Sequence, residues 1–357
     1  MLTGGQVSFI LLVKNTNGRK DDIMRVCMIG GSGHSHTILG QLDHPDIFPL
    51  EICGCCRGFE GEALGGAMKT LLQDRGMDIP QFSSYGEMLD RADPELVVVD
   101  GLFAHHGPMS VEALNRGIHV YAEKPVATTL EGLSLLRRAA ERGNARLGAM
   151  LTTRYEAPFY TARKLIGEGA IGRIRLVQAQ KSYRLGQRPA FFGDRQQFGG
   201  LIPWVSIHMI DMILWLTGKK CKRVYASHNA DDNRGNGDLE MVALCSMELE
   251  DHILASVTTD YYRPDDAPTH GDDRIRIVGT EGILEIMKDT LTLIDGEGCR
   301  EMPLDTPPDL FGDFLRHIRD ELPTGGVGGL DGLYSSYVSL MLRQSADEGR
   351  LFDLSAP

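Results

Sequence analysis

Long stretches of lysine and arginine are missing from this chain of 357 residues, in which 49 acids outnumber 37 bases. A net charge of −12 tells against nucleic acid or an anionic membrane surface as a partner. Near the N-terminus the apolar run "VSFILLV" is too short to span a bilayer. It also lacks the basic flank and small-residue site of a cleaved leader. Cysteine is sparse: 7 residues, an odd number in a long chain, do not make a disulfide framework. Cys53, Cys55 and Cys56 in "LEICGCCRG" read as small residues of a buried strand. No second ligand pair has zinc-site spacing, so no metal is expected. Together these absences point to a cytoplasmic protein. "KNTNGRKDD" is a polar linker, and residues 1–23 are read as a tail.

What is present is ordinary for a globular protein, 42% hydrophobic and 24% charged, and long enough for two domains. From Arg25 strands and helices alternate. "RVCMIG", "LEICGCC", "ELVVVDG", "IHVYAEKP" and "ARLGAMLT" are short apolar runs, and helical segments separate them. "PMSVEALNRG" reads as one such helix, opened by Pro108 and closed by Gly117. This rhythm over residues 24–150 predicts an α/β domain with a doubly wound parallel sheet. Residues 151–357 differ. Consecutive runs such as "RIRLVQAQKSY", "LEMVALCSMEL" and "HILASVTTDYY" predict an α+β domain with a large, mostly antiparallel sheet, and helices near 308–321 and 331–347 close the chain.

"IGGSGHSH" follows the first strand, where a dinucleotide fold places its phosphate loop, although no strict G-x-G-x-x-G is present. Gly30, Gly31, Ser32, Gly33, His34 and Ser35 are the candidate pyrophosphate contacts, through glycine turns and backbone amides. The acid expected at the end of the second strand is replaced by Cys56-Arg57. An arginine there can pair with a 2′-phosphate, so NADP is expected slightly ahead of NAD. His34, His36, His105 and His106 gather if the first and third strands are neighbours. They then line the cofactor crevice, His106 as a cofactor contact, or lie on the loop surface.

"AEKP" closes the fourth strand with Glu123, Lys124 and Pro125. Proline ends the ladder, and the lysine either snorkels into water or presents a fixed cation at the mouth of a cleft. The stretch alone leaves both open.

With the glycine-rich loop, "AEKP" and "GGLIPWVSIHMIDMILWLTG", the chain resembles the Gfo/Idh/MocA oxidoreductases from residue 25 onward. "IRIVGTEGILEI" and "SADEGRLFDL" are similar to that family's second domain. The resemblance implies an N-terminal Rossmann domain binding NAD(P) and a C-terminal domain whose open sheet often mediates oligomerisation, here a dimer or tetramer. It implies that Lys124 lies beside nicotinamide and substrate hydroxyl, with Glu123 shaping the turn. It makes His208 the proton carrier, on a helix that also bears Asp211.

One position departs from that pattern. Family members have Asp four residues before the histidine, and this chain has Trp204. Tryptophan exchanges no proton, which leaves Lys124 and His208 as catalytic candidates unless Asp194 enters. Trp204 could instead stack on a sugar face, with Arg154 and Tyr155 as further substrate contacts. Tyr183, Arg188 and Asp194 lie in or near "RLGQRPAFFGDRQQFGG", which reads as a loop covering the substrate. The expected activity is oxidation of a secondary hydroxyl in a sugar, cyclitol or related polyol. The alternatives are a glycoside hydrolase or lyase that recycles its cofactor, and a non-catalytic NAD(P)-binding sensor.

Overall fold

The structure is a computed structural model that describes residues 23–31, 33–43, 49–62, 66–322 and 329–355. The expected tail, apart from Ile23, and the candidate Ser32 lie outside the described residues. The chain forms two compact units. One runs through Glu123 and takes in Ser134–Met150 and Asp309–Gly329; the other holds Lys124–Leu133, Leu151–Pro308 and Leu330–Pro357.

The first unit is built on β1 (Met24–Gly30), β2 (Leu50–Cys56), β3 (Leu96–Asp100), β4 (His119–Ala122) and β5 (Leu147–Ala149). They pair in parallel in the order β2-β1-β3-β4-β5. The order reverses at β1, which puts the switch point between β1 and β3 and brings the loops after those strands side by side. All five residues of β3 are buried, as a strand covered on both faces requires. The helix after it differs from expectation. It runs Phe103–Asn115, with Pro108 inside rather than at its start. Leu102 takes the N-cap position, and the His106 ring nitrogen Nε2 lies 3.1 Å from the Gly101 carbonyl, tying the first turn to the strand end.

The second unit carries nine strands: β6 (Ile174–Arg184), β7 (Cys221–Asn229), β8 (Val242–Leu249), β9 (Leu254–Arg263), β10 (Gly271–Gly279), β11 (Gly282–Met287), β12 (Thr290–Asp295), β13 (Gly298–Glu301) and β14 (Phe352–Asp353). Their order is β13-β12-β11-β10-β6-β9-β8-β7-β14, and β6 with β9 is the one parallel pair. Alternation is clear in β8, where Ala243, Cys245, Met247 and Leu249 are buried and Leu244 and Ser246 exposed. The sheet therefore has one covered face and one open one. The helix Ile207–Thr217 contacts β6 and β9, and nearly every residue in it is buried. The stretch Arg195–Thr217, interrupted at Gly199 and Gly200, is apolar and long enough to cross a membrane, but 89% of its most apolar window is buried inside the protein.

Packing explains why Asp309–Gly329 joins the first unit. The rings of Phe311 and Phe314, on the helix Leu310–Ile318, lie 5.0 and 5.3 Å from the buried Tyr121 ring of β4. Gly148 of β5 makes room for this: a Cβ there would come within 2.7 Å of the Phe314 ring. Gly148→Val should therefore lower stability by about 1–3 kcal/mol through overpacking. Chemical denaturation of parent and variant checks this, and an unchanged midpoint would contradict the packing account.

Candidate active site

The loop after β1 meets the end of β3 at close range. Gly30 has φ +73°, and a Cβ there would sit 2.4 Å from the Asp100 carbonyl oxygen, so only glycine suits the position. The Ser35 amide donates to Asp100 Oδ2 at 3.0 Å, and the His34 amide donates to Glu123 Oε2 at 3.2 Å. Both acids are fully buried. The His34 ring, through Nδ1, lies 2.9 Å from Glu123 Oε1. Burial, and then the neighbouring Glu123, hold the Asp100 carboxyl well above the ordinary carboxylate range, against bonds from Ser35 and the Gly33 backbone. His36 and His105 are exposed, whereas His106 is buried on Gly101.

At the end of β2 Arg57 is exposed and its guanidinium bonds the Glu62 carbonyl. The Glu62 carboxylate folds back in turn, Oε2 accepting from the Gly58 amide at 2.6 Å. The acid absent at the strand end thus returns from farther along the chain. Its spacing from Arg57 gave no sequence signal, because only the turn that folds 58–62 back brings it there.

In the second unit Lys124 is joined to Pro125 by a cis peptide and is buried, with 2% of its surface exposed. Its ammonium donates to the Trp204 carbonyl at 2.8 Å and lies 3.1 Å from the centroid of the Trp204 ring. A desolvated cation–π contact contributes about 2 kcal/mol, which offsets part of the cost of burying the charge. Arg343 braces the two segments that meet here, donating to the carbonyls of Thr128 at 2.8 Å and Gly199 at 2.6 Å. Trp204 sits in a widened π-helical turn, Ile202–Ser206, just before the helix Ile207–Thr217. One face of its indole is covered by Lys124, and Phe192 meets it edge-on at 6.1 Å. Stacking on a sugar would therefore use the other face.

His208 is buried, with Nδ1 3.3 Å from Thr153 Oγ1. Asp211, one turn on, accepts two bonds from Arg154 at 2.8 and 2.6 Å and one from Ser335 at 2.6 Å. Burial works against the Arg154 charge, but Asp211 and then Asp331 more than restore it, so its pKa is raised. Arg154 and Asp211 thus form a buried pair that anchors the helix. Asp194 is an N-cap: Oδ1 accepts from the Gln196 amide and Oδ2 from Gln197 Nε2, each at 2.8 Å. Tyr155 ends the short helix Thr152–Tyr155 and is half-buried. Arg188 lies 4.7 Å over the Tyr261 ring.

A cluster that the sequence reading missed lies at Lys181, which is buried and bonded to Asp273 and, at 2.8 Å, to the Tyr183 hydroxyl. Positions 181 and 183 share a face of β6, so the strand's alternation could have paired them; Asp273 comes from the neighbouring β10. Among the described residues no group of three or more His, Cys, Asp or Glu could hold a metal ion.

Comparison with known proteins decides the family. Residues 67–150 match the family model described as oxidoreductase family, NAD-binding Rossmann fold, and residues 159–285 match the GFO/IDH/MocA C-terminal domain. The chain belongs to the Gfo/Idh/MocA oxidoreductase family. Within it, the chain is 41% identical to the structure of a Thermotoga maritima protein assigned as an oxidoreductase, with a TM-score of 0.88, covering 93% of this chain and 100% of that one. It is 25% identical over 321 residues to the 1,5-anhydro-D-fructose reductase of Ensifer adhaerens, covering 85% of this chain and 94% of the relative. An uncharacterized oxidoreductase of Schizosaccharomyces pombe is 31% identical over 139 residues, and the match spans only 38% of that relative's length. The Rossmann match begins at residue 67, beyond the glycine-rich loop and Arg57.

The residues present fit a dinucleotide: Gly30, Gly31 and Gly33 give the loop bare backbone at the switch point of a parallel sheet. A Cβ on Gly33 would lie 2.7 Å from both Asp100 and Glu123. The burial of Asp100 also has a consequence for stability. An acid whose folded pKa is raised stabilises the fold at low pH and loses that contribution as pH climbs toward the folded value. Asp100→Asn removes the titration, so its gain in melting temperature over the parent should grow from about pH 5 to about pH 8. Thermal unfolding across that range checks the sign; a gain that shrinks with pH would contradict it.

Proposed function

We propose that this chain is a nicotinamide-dependent dehydrogenase that oxidises a secondary hydroxyl of a sugar, cyclitol or related polyol. The observation that carries the reading is Lys124: a buried ammonium held by the Trp204 carbonyl and ring, in the same unit as His208. A cation fixed in this way stabilises a developing alkoxide without reorganising. Because Nδ1 of His208 faces Thr153, we assign the hydroxyl proton to Nε2. The nicotinamide, when bound, supplies the hydride acceptor. Gly30, Gly31, Gly33, His34 and Ser35 would hold its pyrophosphate, with His106 fixing the neighbouring loop. Trp204, Tyr155 and Arg154 would shape the substrate side, Arg154 by anchoring the helix of His208. The reductase from Ensifer adhaerens, a protein named for a sugar derivative, supports a carbohydrate substrate.

The same reading makes the chain a cytoplasmic homo-oligomer joined through the open sheet face. There Leu254, Leu176, Val278, Ile283 and Ile294 form one row across five strands. The sensor reading draws on the tryptophan at 204, since no carboxylate stands one turn before His208. It would prevail if no polyol in a broad panel changed absorbance at the nicotinamide band. Product formed while that absorbance stays flat would favour the cofactor-recycling hydrolase.

Two measurements test the assigned residues. Lys124→Ala should lower turnover by about two orders of magnitude or more, the scale of one lost transition-state contact, with far-UV dichroism unchanged. Trp204→Phe should retain more turnover than Trp204→Leu, because a ring remains over the ammonium. Near-parental turnover in Lys124→Ala would remove the lysine from the chemistry. For the cofactor, Arg57 favours the 2′-phosphate while Glu62 stands close by and opposes it. NADP is proposed to bind more tightly than NAD, by a margin that Arg57→Ala narrows. Fluorescence titration of both forms decides; equal affinities in the parent would refute it.

A further inference from the structure

The loop assigned to the pyrophosphate already holds acids of its own. Its Ser35 amide is bonded to Asp100 at 3.0 Å and its His34 amide to Glu123 at 3.2 Å. We propose that Asp100, together with Glu123, is a built-in competitor for the pyrophosphate seat and so sets how tightly this chain binds a dinucleotide. The proposal rests on the nicotinamide reading above.

The argument is one of donors and charge. A phosphate binds at such a loop because successive backbone amides converge on it. Each amide has one proton, and a carboxyl oxygen at hydrogen-bond distance keeps a phosphate oxygen from it. An entering dianion also meets two acids, each fully buried, where screening by water is weakest. The two acids are not equivalent. Glu123 is anchored by the His34 ring at 2.9 and 3.0 Å, whereas no ion pair to Asp100 occurs among the described residues. Asp100 is thus the member that yields or is replaced. The opposing account is that the acids merely brace the loop, in which case removing Asp100 loosens it and weakens binding.

Calorimetric titration of the full chain, Asp100→Ala and Asp100→Asn with NAD, NADP, ADP-ribose and inorganic pyrophosphate separates the two. Alanine frees the Ser35 amide and removes the ionisable group; asparagine keeps the shape and an acceptor but cannot ionise. The Ala variant should bind dinucleotide and pyrophosphate about tenfold to a hundredfold more tightly than the parent, the range of one hydrogen bond to a charged group, with Asn in between. Folded variants that bind no tighter than the parent overturn the proposal. If Ala does not fold, the isosteric Asn decides by the same criterion. Dinucleotide binding of equal strength in all three proteins sinks the proposal and leaves the cofactor reading standing. Tighter pyrophosphate binding in the variants, with no dinucleotide binding by any of them, upholds the role of Asp100 and sinks the cofactor reading.

Discussion

Lys124 carries a charge that the fold has taken out of water, and much of the second unit is arranged to make that tolerable. An isolated ammonium in an apolar interior is unstable unless dipoles or a partner charge replace its hydration. Here a carbonyl and an indole face from one residue, Trp204, supply part of that replacement. Both groups must be held still to do so. The π-helical turn Ile202–Ser206 presents the carbonyl of Trp204, and Arg343 ties the segment after Lys124 to the residues before that turn. Phe192 fixes the indole from its edge.

The same constraint recurs elsewhere, answered by different means. Arg154 and Asp211 are buried as a bidentate pair with Ser335 completing the carboxylate. Removing one member of such a pair strands the other charge, so each of these residues depends on the other in anchoring the helix of His208. Lys181 is held by Asp273 and Tyr183 across two strands. In the first unit two acids, Asp100 and Glu123, are buried together and draw on backbone amides of the glycine-rich loop. A protein of net charge −12 therefore keeps several of its charges inside, each with a named partner, and most of them lie near residues assigned to chemistry.

Much of this was legible in the sequence. The parallel sheet followed from short, fully apolar runs such as "ELVVVDG" separated by helices, and β3 is indeed buried along its whole length. The open sheet followed from alternation, as in β8. Where one residue type carries two signals the reading slipped. Pro108 reads as a helix start, yet the helix begins at Phe103, because contacts of the loop after β3 set its first turn. Asp194 could be weighed as an acid for proton transfer, but its oxygens are engaged, one in capping the Gln196 amide and one by the Gln197 side chain. Gly148 gives no local signal at all; its reason is a ring from residue 314.

The sequence by itself determined the two fold types, the glycine-rich loop at the end of β1, the family resemblance and the departure at Trp204. These are local or periodic properties, written in spacing and residue type. Only the tertiary structure decided which groups share a buried charge: Lys124 with Trp204, Arg154 with Asp211, Lys181 with Asp273, Asp100 with Glu123. Those partners stand 80, 57, 92 and 23 positions apart, the last by subtraction of 100 from 123. Desolvation couples them only after the chain has folded, since a charge in water has little need of a particular partner and a charge inside the protein cannot do without one.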